Sequence, residues 1–172
     1  MEGLSDTLVA EFKDHAVFRI QESADKIRGC LNLLDEDAFW FQPNEQSNSP
    51  DQLLRHLKGN ITQYIISGLG DTPDLRKRDD EFIPGSNRDR NQVESDFFQT
   101  IATAIEMIGS VKAEDLTKIK QVQGFAFSGI GIILHVVEHL SYHTGQFAYL
   151  TKLNKNADLG FYRDFDLNQT NE

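Results

Sequence analysis

The chain lacks the features that mark disulfide-bonded and membrane proteins. Its 172 residues include one cysteine, Cys30, so no intrachain disulfide can form. No apolar stretch reaches the roughly 18 residues that a membrane-spanning helix needs. The acidic start of the chain, residues 1–6, has no hydrophobic core of a signal peptide. These absences favour a cytoplasmic protein with no membrane partner. Cys30 lies beside an apolar stripe and is predicted to be a packed thiol.

Basic side chains are also scarce. The chain has 17 Lys and Arg against 27 Asp and Glu, which gives a net charge of −10 and a pI near 4.9. A surface of this sign repels nucleic acid, so no nucleic-acid partner is expected. Hydrophobic residues make up 39% of the chain and include 12 Phe, which is enough for a packed core. We therefore expect a single domain over residues 1–172.

Apolar residues recur at helical spacing in four segments of the chain. These segments are Leu4–Leu34, Ser49–Gly70, Asn91–Ile108 and Ser128–Asn154. The second begins with a Ser-Pro-Asp-Gln capping box, the third with a cap pair of Asn91 and Glu94, and the fourth with Ser128 as N-cap. Four helices with one apolar stripe each predict an all-α protein, a four-helix bundle with long connecting loops.

Three connections join these helices. The first, Asp35–Asn48, carries the aromatic run Phe39–Phe41, which is predicted to be core. The second, Asp71–Arg90, is a charged loop of about 20 residues, either a functional lid or, more commonly for such a stretch, a solvated surface loop. The third, Val111–Phe127, contains one short extended stretch, and nothing in it predicts a sheet.

The fourth helix carries the most informative pattern, three histidines at four-residue spacing. A step of four residues turns a helix by only about 40°, so His135, His139 and His143 share one face. Apolar residues of the core stripe lie on the same half of the helix. Buried imidazoles need hydrogen-bonding partners, and a bound metal satisfies several of them at once. His56 on the second helix, with Asn60 one turn further, completes the donor set.

The spacing predicts a metal site of His56 with two of the three clustered histidines. His135/His139 and His139/His143 both fit, while His15 is predicted not to be a ligand. Three neutral imidazoles leave a position open for water or substrate, as in catalytic zinc sites, and iron or nickel accepts the same donors.

Two other metal motifs fit the sequence less well. Residues 135–139 match the H-x-x-E-H pattern of zinc peptidases, in which the Glu is the general base. On a helical wheel, however, Glu138 falls on the outward side of the helix. A ferritin-like di-iron site needs Glu-x-x-His pairs, and this sequence has none.

Several of these residues resemble the DinB-like superfamily of bacterial four-helix bundles. Its members take one metal-binding histidine from the second helix and an H-x-x-x-H pair, followed by x-Gly-Gln, from the fourth. The stretches 53–60 and 139–146 match this arrangement, and weaker similarity covers 45–50, 76–82 and 145–152. The resemblance implies His56, His139 and His143 as ligands of a divalent metal, with His135 as a neighbour.

The resemblance also implies an activity. Characterised members include transferases and isomerases that use a low-molecular-weight thiol, although the branch that this chain resembles is mostly of unknown function. We expect a metal-dependent enzyme, a thiol-dependent transferase or a hydrolase, acting on a small molecule. The alternative is a non-catalytic, metal-stabilised or ligand-binding bundle, stress-related and dimeric. No catalytic residue is assigned.

Neighbours of the histidines are candidates for orienting that ligand. Asn60, Tyr64, Tyr142 and Gln146 lie near them in the pattern, and each is equally explained by packing or capping. Gly145 is predicted to be a close-packing site between helices. A homodimer is consistent with the resemblance and with the apolar content.

Overall fold

A computed structural model describes residues 2–85 and 88–171 of the chain and is mostly helical. The helices are α1 (Glu2–Leu33), α2 (Glu36–Trp40), α3 (Pro50–Ile61), α4 (Arg90–Ser110), α5 (Ala113–Thr117) and α6 (Gly129–Lys155). A π-helical segment, Thr62–Leu69, continues α3, and a 3₁₀ turn, Arg78–Phe82, lies in the loop that follows. Strands β1 (Ile119–Val122) and β2 (Phe125–Ser128) precede α6. Within the described ranges, every helix is too short or too polar to cross a membrane.

The long helices enclose one hydrophobic core. Helix α1 packs along α6 and α4, and α3 packs against α4 and α6. Full burial of a large apolar side chain contributes about 1.5–3 kcal/mol. The largest fully buried side chains come from α1, α2, α3 with its π-helical extension, α4 and α6: Ile20, Ile27, Leu31, Phe39, Leu53, Leu54, Leu57, Ile61, Tyr64, Ile65, Phe97 and Phe147.

The predicted helix starts are confirmed for α3 and α6. Ser49 Oγ accepts the Gln52 N–H (3.2 Å), and Gln52 Oε1 accepts the Ser49 N–H (2.8 Å), which completes the capping box. Ser128 Oγ accepts the N–H of Gly131 at 3.1 Å. The helix that starts at Ser49 ends at Gly70, as predicted, although its last eight residues are π-helical.

The predicted cap pair of α4 was wrong by two residues. The N-cap is Asp89, whose carboxylate accepts the Asn91 N–H at 2.9 Å. Glu94 instead pairs with Arg90, whose Nε lies 2.6 Å from its Oε1. Asp caps a helix as well as Asn does, and here the earlier of the two candidate cap residues starts the helix.

A hairpin corrects the expectation that residues 111–127 build no sheet. β1 and β2 pair antiparallel, with Val122 opposite Phe125. The two residues between them, Gln123 and Gly124, have φ angles of 52° and 83°. Positive φ at both central positions is what a two-residue hairpin turn requires, and Gly supplies it without strain. The strands are only four residues long, too short for a clear alternation of apolar and polar residues.

Two packing predictions also need correction. Phe39 is fully buried on α2, but Phe41 lies beyond the end of that helix and is 51% exposed, so only part of the aromatic run is core. Gly145 is exposed, and a Cβ added there would meet nothing within 4 Å, so it is not a close-packing site. It lies on the outer face of α6. Cys30 is buried, as predicted.

Candidate metal centre

Three histidines from two helices converge at the contact between α3 and α6. The Nε2 atom of His139 lies 3.2 Å from Nε2 of His56 and 3.3 Å from Nε2 of His143. Within the part of the chain that the structure describes, these three side chains form the group whose donor atoms lie within 4.8 Å of one another. His56 is 8% exposed and His143 7%. Of the two pairs that the spacing left open, the structure brings His139 and His143 to His56.

The hydrogen bonds of the outer ring nitrogens set the tautomers of two of these imidazoles. His56 Nδ1 lies 3.0 Å from Oε2 of Glu81, and His143 Nδ1 lies 2.7 Å from Oε1 of Gln146. Carboxylate and amide oxygens accept hydrogen bonds, so these contacts favour a hydrogen on each Nδ1. Nη2 of Arg76, which can only donate, also lies 3.3 Å from His56 Nδ1, but the carboxylate oxygen is closer. Each Nε2 therefore presents a lone pair towards His139.

One hydrogen on His139 cannot satisfy both neighbours. Its Nε2 donates to one lone pair at most, so at least one close pair of nitrogens has no hydrogen between them. With its hydrogen on Nδ1, His139 instead adds a third inward lone pair. That set of donors fits a cation at the centre.

Burial disfavours the charged forms of His139 and His143. Desolvation, followed by the neighbouring imidazoles of His143 and His56, lowers the pKa of His139 to about 3. Desolvation also lowers the pKa of His143, although its bond to Gln146 opposes the shift. Neutral imidazole is the form that ligates metals, so these two rings are available as ligands at neutral pH.

His135 lies one turn away as a packed neighbour of the cluster. Its ring stacks on Tyr64, with centroids 4.0 Å apart and an interplanar angle of 19°. Asn60 Nδ2 donates to His135 Nε2 at 3.3 Å, and the Tyr64 hydroxyl donates to Gln123 at the hairpin turn. Burial lowers the pKa of His135. Two buried polar atoms beside it, Asn60 Oδ1 and His139 Nδ1, have no partner among the described residues.

The charged loop after the π-helical segment contributes an unexpected partner to the site. Glu81 is 8% exposed and contacts His56 through one carboxylate oxygen. Arg76 donates to both oxygens of Glu81, at 2.7 and 2.8 Å, and also to Gln63 Oε1 at 2.8 Å. Burial alone would raise the pKa of Glu81, but the hydrogen bonds from Arg76 and His56 outweigh it and hold the pKa below its usual range.

No periodic pattern predicts this contact. In the sequence, Glu81 and Arg76 are two of many charged residues in the loop Asp71–Arg90, within the stretch 76–82 that carries part of the resemblance. The described part of the loop is ordered against α3, and residues 86 and 87 of it lie outside the described residues.

The remaining candidates lie outside the cluster. Tyr142 is largely exposed, with its ring edge-on to His143 at 5.1 Å between centroids. Glu138 is exposed and does not join the cluster, so the peptidase pattern lacks its base there. His15 is exposed beside Glu11, away from the site, as the sequence predicted for a non-ligand.

The fold and the site together define a mostly helical protein with a buried three-histidine cluster between two helices. The chain belongs to the DUF1572 family, described as proteins of unknown function, which matches residues 7–162. A solved structure with a similar fold is that of a conserved protein from Enterococcus faecalis. The two are 15% identical with a TM-score of 0.57, and the match covers 86% of this chain and 95% of that one. No curated protein matches the chain.

Proposed function

We propose that this chain is a divalent-metal protein of the DinB-like superfamily, a four-helix bundle in which His56, His139 and His143 hold one metal ion. Residues 1–172 form its single domain. The ion is zinc, nickel or iron, all of which accept three imidazole ligands. The proposal continues to a metal-dependent enzyme, a thiol-dependent transferase or a hydrolase, that acts on a small molecule.

The spacing of the ring nitrogens carries the metal proposal. Metal–nitrogen bonds of about 2.0–2.1 Å in a tetrahedral site put two ligand nitrogens about 3.3 Å apart. The observed separations of 3.2 and 3.3 Å around His139 match that edge. Hydrogen-bond acceptors behind His56 and His143 hold two of the rings with Nε2 inward, as metal-binding histidines require.

The donor set supports the catalytic half of the proposal. Three neutral ligands leave the charge of a divalent ion uncompensated, which lowers the pKa of a bound water or thiol and supplies a nucleophile at neutral pH. Glu81 and Gln146 hold the imidazoles of His56 and His143 in place. We further propose that Asn60, whose buried Oδ1 has no hydrogen-bond partner among the described residues, orients a bound small molecule.

Burial of the site favours a second candidate, a non-catalytic bundle that the metal stabilises. His56 and His143 are both buried, which is typical of a structural site. Under this alternative, loss of the metal lowers stability and changes no turnover. The homodimer expected from the resemblance remains a prediction, and sedimentation of the metal-loaded protein checks it.

Metal analysis with matched variants tests the proposal. The metal-free protein is loaded separately with Zn²⁺, Ni²⁺ and Fe²⁺, desalted, and its metal content is measured. We expect one bound ion per chain in the wild type and in His15→Ala, which removes an exposed histidine away from the site. His139→Ala should retain none. Equal retention by His139→Ala and the wild type would overturn the proposal.

Activity separates the two candidates. The loaded protein is assayed for thiol transfer to electrophilic small molecules and for hydrolysis, with and without EDTA. Turnover that EDTA removes and that His139→Ala lacks supports the enzyme. Stabilisation by metal without turnover supports the structural alternative.

A further inference from the structure

We propose that Glu81 is a positioning residue for the metal centre. Residues 71–85, here called the strap, hold its carboxylate against His56. The inference rests on the proposed function, because it concerns how one ligand of that site is oriented. Glu81 is not proposed to touch the metal or a substrate. It acts through the ring of His56.

The first observation is the hydrogen bond at the back of His56. Nδ1 of His56 lies 3.0 Å from Oε2 of Glu81 and 3.3 Å from Nη2 of Arg76, which can only donate. The closer, ionised carboxylate favours the hydrogen on Nδ1 and leaves the Nε2 lone pair facing His139. A carboxylate in this place also makes the imidazole a stronger base and therefore a better ligand. Removal of such a partner typically weakens metal binding about 10- to 100-fold.

The second observation is that other residues of the strap hold the carboxylate of Glu81 in place. Arg76 grips both carboxylate oxygens, and its side chain is only 4% exposed. Gln63 accepts a bond from Arg76 and donates one to Asp74 at 2.7 Å, which closes a ring of contacts between the strap and the π-helical segment. Buried ion pairs contribute little net stability, so stability alone does not account for a carboxylate aimed at the back of a ligand.

The third observation is that the backbone around Glu81 is pinned to α3. Arg55 donates to the carbonyl oxygens of Asp80 and Ile83, each at 2.7 Å, and Gln52 donates to that of Phe82 at 2.7 Å. Carbonyls on both sides of Glu81 are therefore tied to the same helix that carries His56. These contacts within the chain hold the carboxylate behind His56.

The fourth observation is Gly59, in the interior of α3. A Cβ at this position would lie 1.9 Å from Oε1 of Glu81 and 3.0 Å from Nε of Arg76. Gly destabilises a helix interior relative to Ala, so its presence here runs against helix propensity. The space that it leaves is the space that the carboxylate occupies. This observation is independent of the hydrogen bonds.

Three variants test the proposal on the full chain. Glu81→Gln keeps the shape and removes the charge. Gly59→Ala keeps every polar side chain and pushes the carboxylate away, which its flexible end permits without unfolding. Gly109→Ala is the matched control, because it also replaces a helical glycine and its Cβ would meet nothing within 4 Å.

The measurements are Zn²⁺ affinity and the tautomer of His56. Competition with a chromophoric chelator should show a loss of about 10- to 100-fold for Glu81→Gln and Gly59→Ala and none for Gly109→Ala. Long-range ¹H–¹⁵N spectra of the metal-free protein should show His56 protonated at Nδ1 in the wild type and as a tautomer mixture in Glu81→Gln. Lower melting temperatures with Zn²⁺ affinity within twofold of wild type would assign Glu81 to strap stability alone and overturn the proposal.

The two proposals fail in different ways. If the wild type binds no Zn²⁺, the proposed function fails. If the wild type binds Zn²⁺ and Glu81→Gln binds it equally well, only the positioning proposal fails. A wild-type His56 protonated at Nε2 in the metal-free protein would also overturn the positioning role.

Discussion

His56 and His139 are 83 positions apart in the chain, and their Nε2 atoms lie 3.2 Å from each other. Local sequence cannot bring these two atoms together, because one side chain comes from α3 and the other from α6. The contact depends on the packing of the two helices. A substitution that loosens this packing should therefore alter the histidine cluster even when the substituted residue is distant from it.

Metal should stabilise the folded chain. A ligand that binds only the folded state at a free concentration of 100 times its Kd adds about 2.7 kcal/mol to the free energy of unfolding. Thermal unfolding with and without Zn²⁺ should show this as a rise in Tm that His143→Ala abolishes and His15→Ala retains. A metal-dependent rise that persists in His143→Ala would contradict the assignment of that ligand.

Acid should destabilise the metal-free protein. An ordinary histidine titrates near 6.5, and burial lowers the pKa of His139 to about 3. Between these values the unfolded chain binds more protons than the folded one, so the free energy of unfolding falls as pH falls from 6.5 towards 3. Urea unfolding across this range should show a smaller pH dependence for His139→Gln. An unchanged dependence would contradict the lowered pKa of His139.

The thiol of Cys30 should be inert in the folded state. Burial is the main cause that raises its pKa, and the side chain is fully enclosed in the core. Thiolate is the reactive form, so a raised pKa and a closed core both slow alkylation. Iodoacetamide labelling followed by mass spectrometry should be slow in buffer and fast in denaturant. Fast labelling in buffer would contradict the buried position, and it would reopen the question of a reactive thiol.

Two glycines of α6 should respond to alanine in opposite directions. Gly145 is exposed with open space around it, so Gly145→Ala should stabilise the protein by up to about 1 kcal/mol through helix propensity. A Cβ at Gly129 would lie 2.5 Å from the carbonyl oxygen of Asp115, so Gly129→Ala should destabilise it by about 1–3 kcal/mol. Chemical unfolding measures both. Destabilisation by Gly145→Ala would indicate that Gly145 is a close-packing site after all.

Helix positions could be predicted from the sequence because the signals are local. Periodic apolar residues marked α1, and the capping residues Ser49 and Ser128 marked the starts of α3 and α6. The hairpin was not predicted because four-residue strands carry too little pattern and Gln123-Gly124 is not one of the dipeptides typical of a two-residue turn. Phe41 and Gly145 were misplaced because helix ends and outer faces depend on tertiary packing.

The candidate site could be predicted only in part. Four-residue spacing puts His135, His139 and His143 on one face but does not choose between the pairs, since both have the same local geometry. The approach of α3 makes that choice. The contact of Glu81 with His56 is non-local and comes from a loop without periodicity, so no helical or strand pattern could indicate it. Gly59 is an unfavourable residue inside a helix, but the sequence does not show that Glu81 packs against it and gives the glycine a reason.

X-ray absorption at the zinc edge of the loaded protein tests the central claim most directly. Metal held by three imidazoles gives nitrogen scattering at about 2.0–2.1 Å together with the outer-shell pattern of imidazole rings. We expect the fitted number of imidazoles to be three in the wild type and two in His56→Ala. A spectrum without imidazole scattering, or one that His56→Ala leaves unchanged, would contradict a metal centre built from both helices.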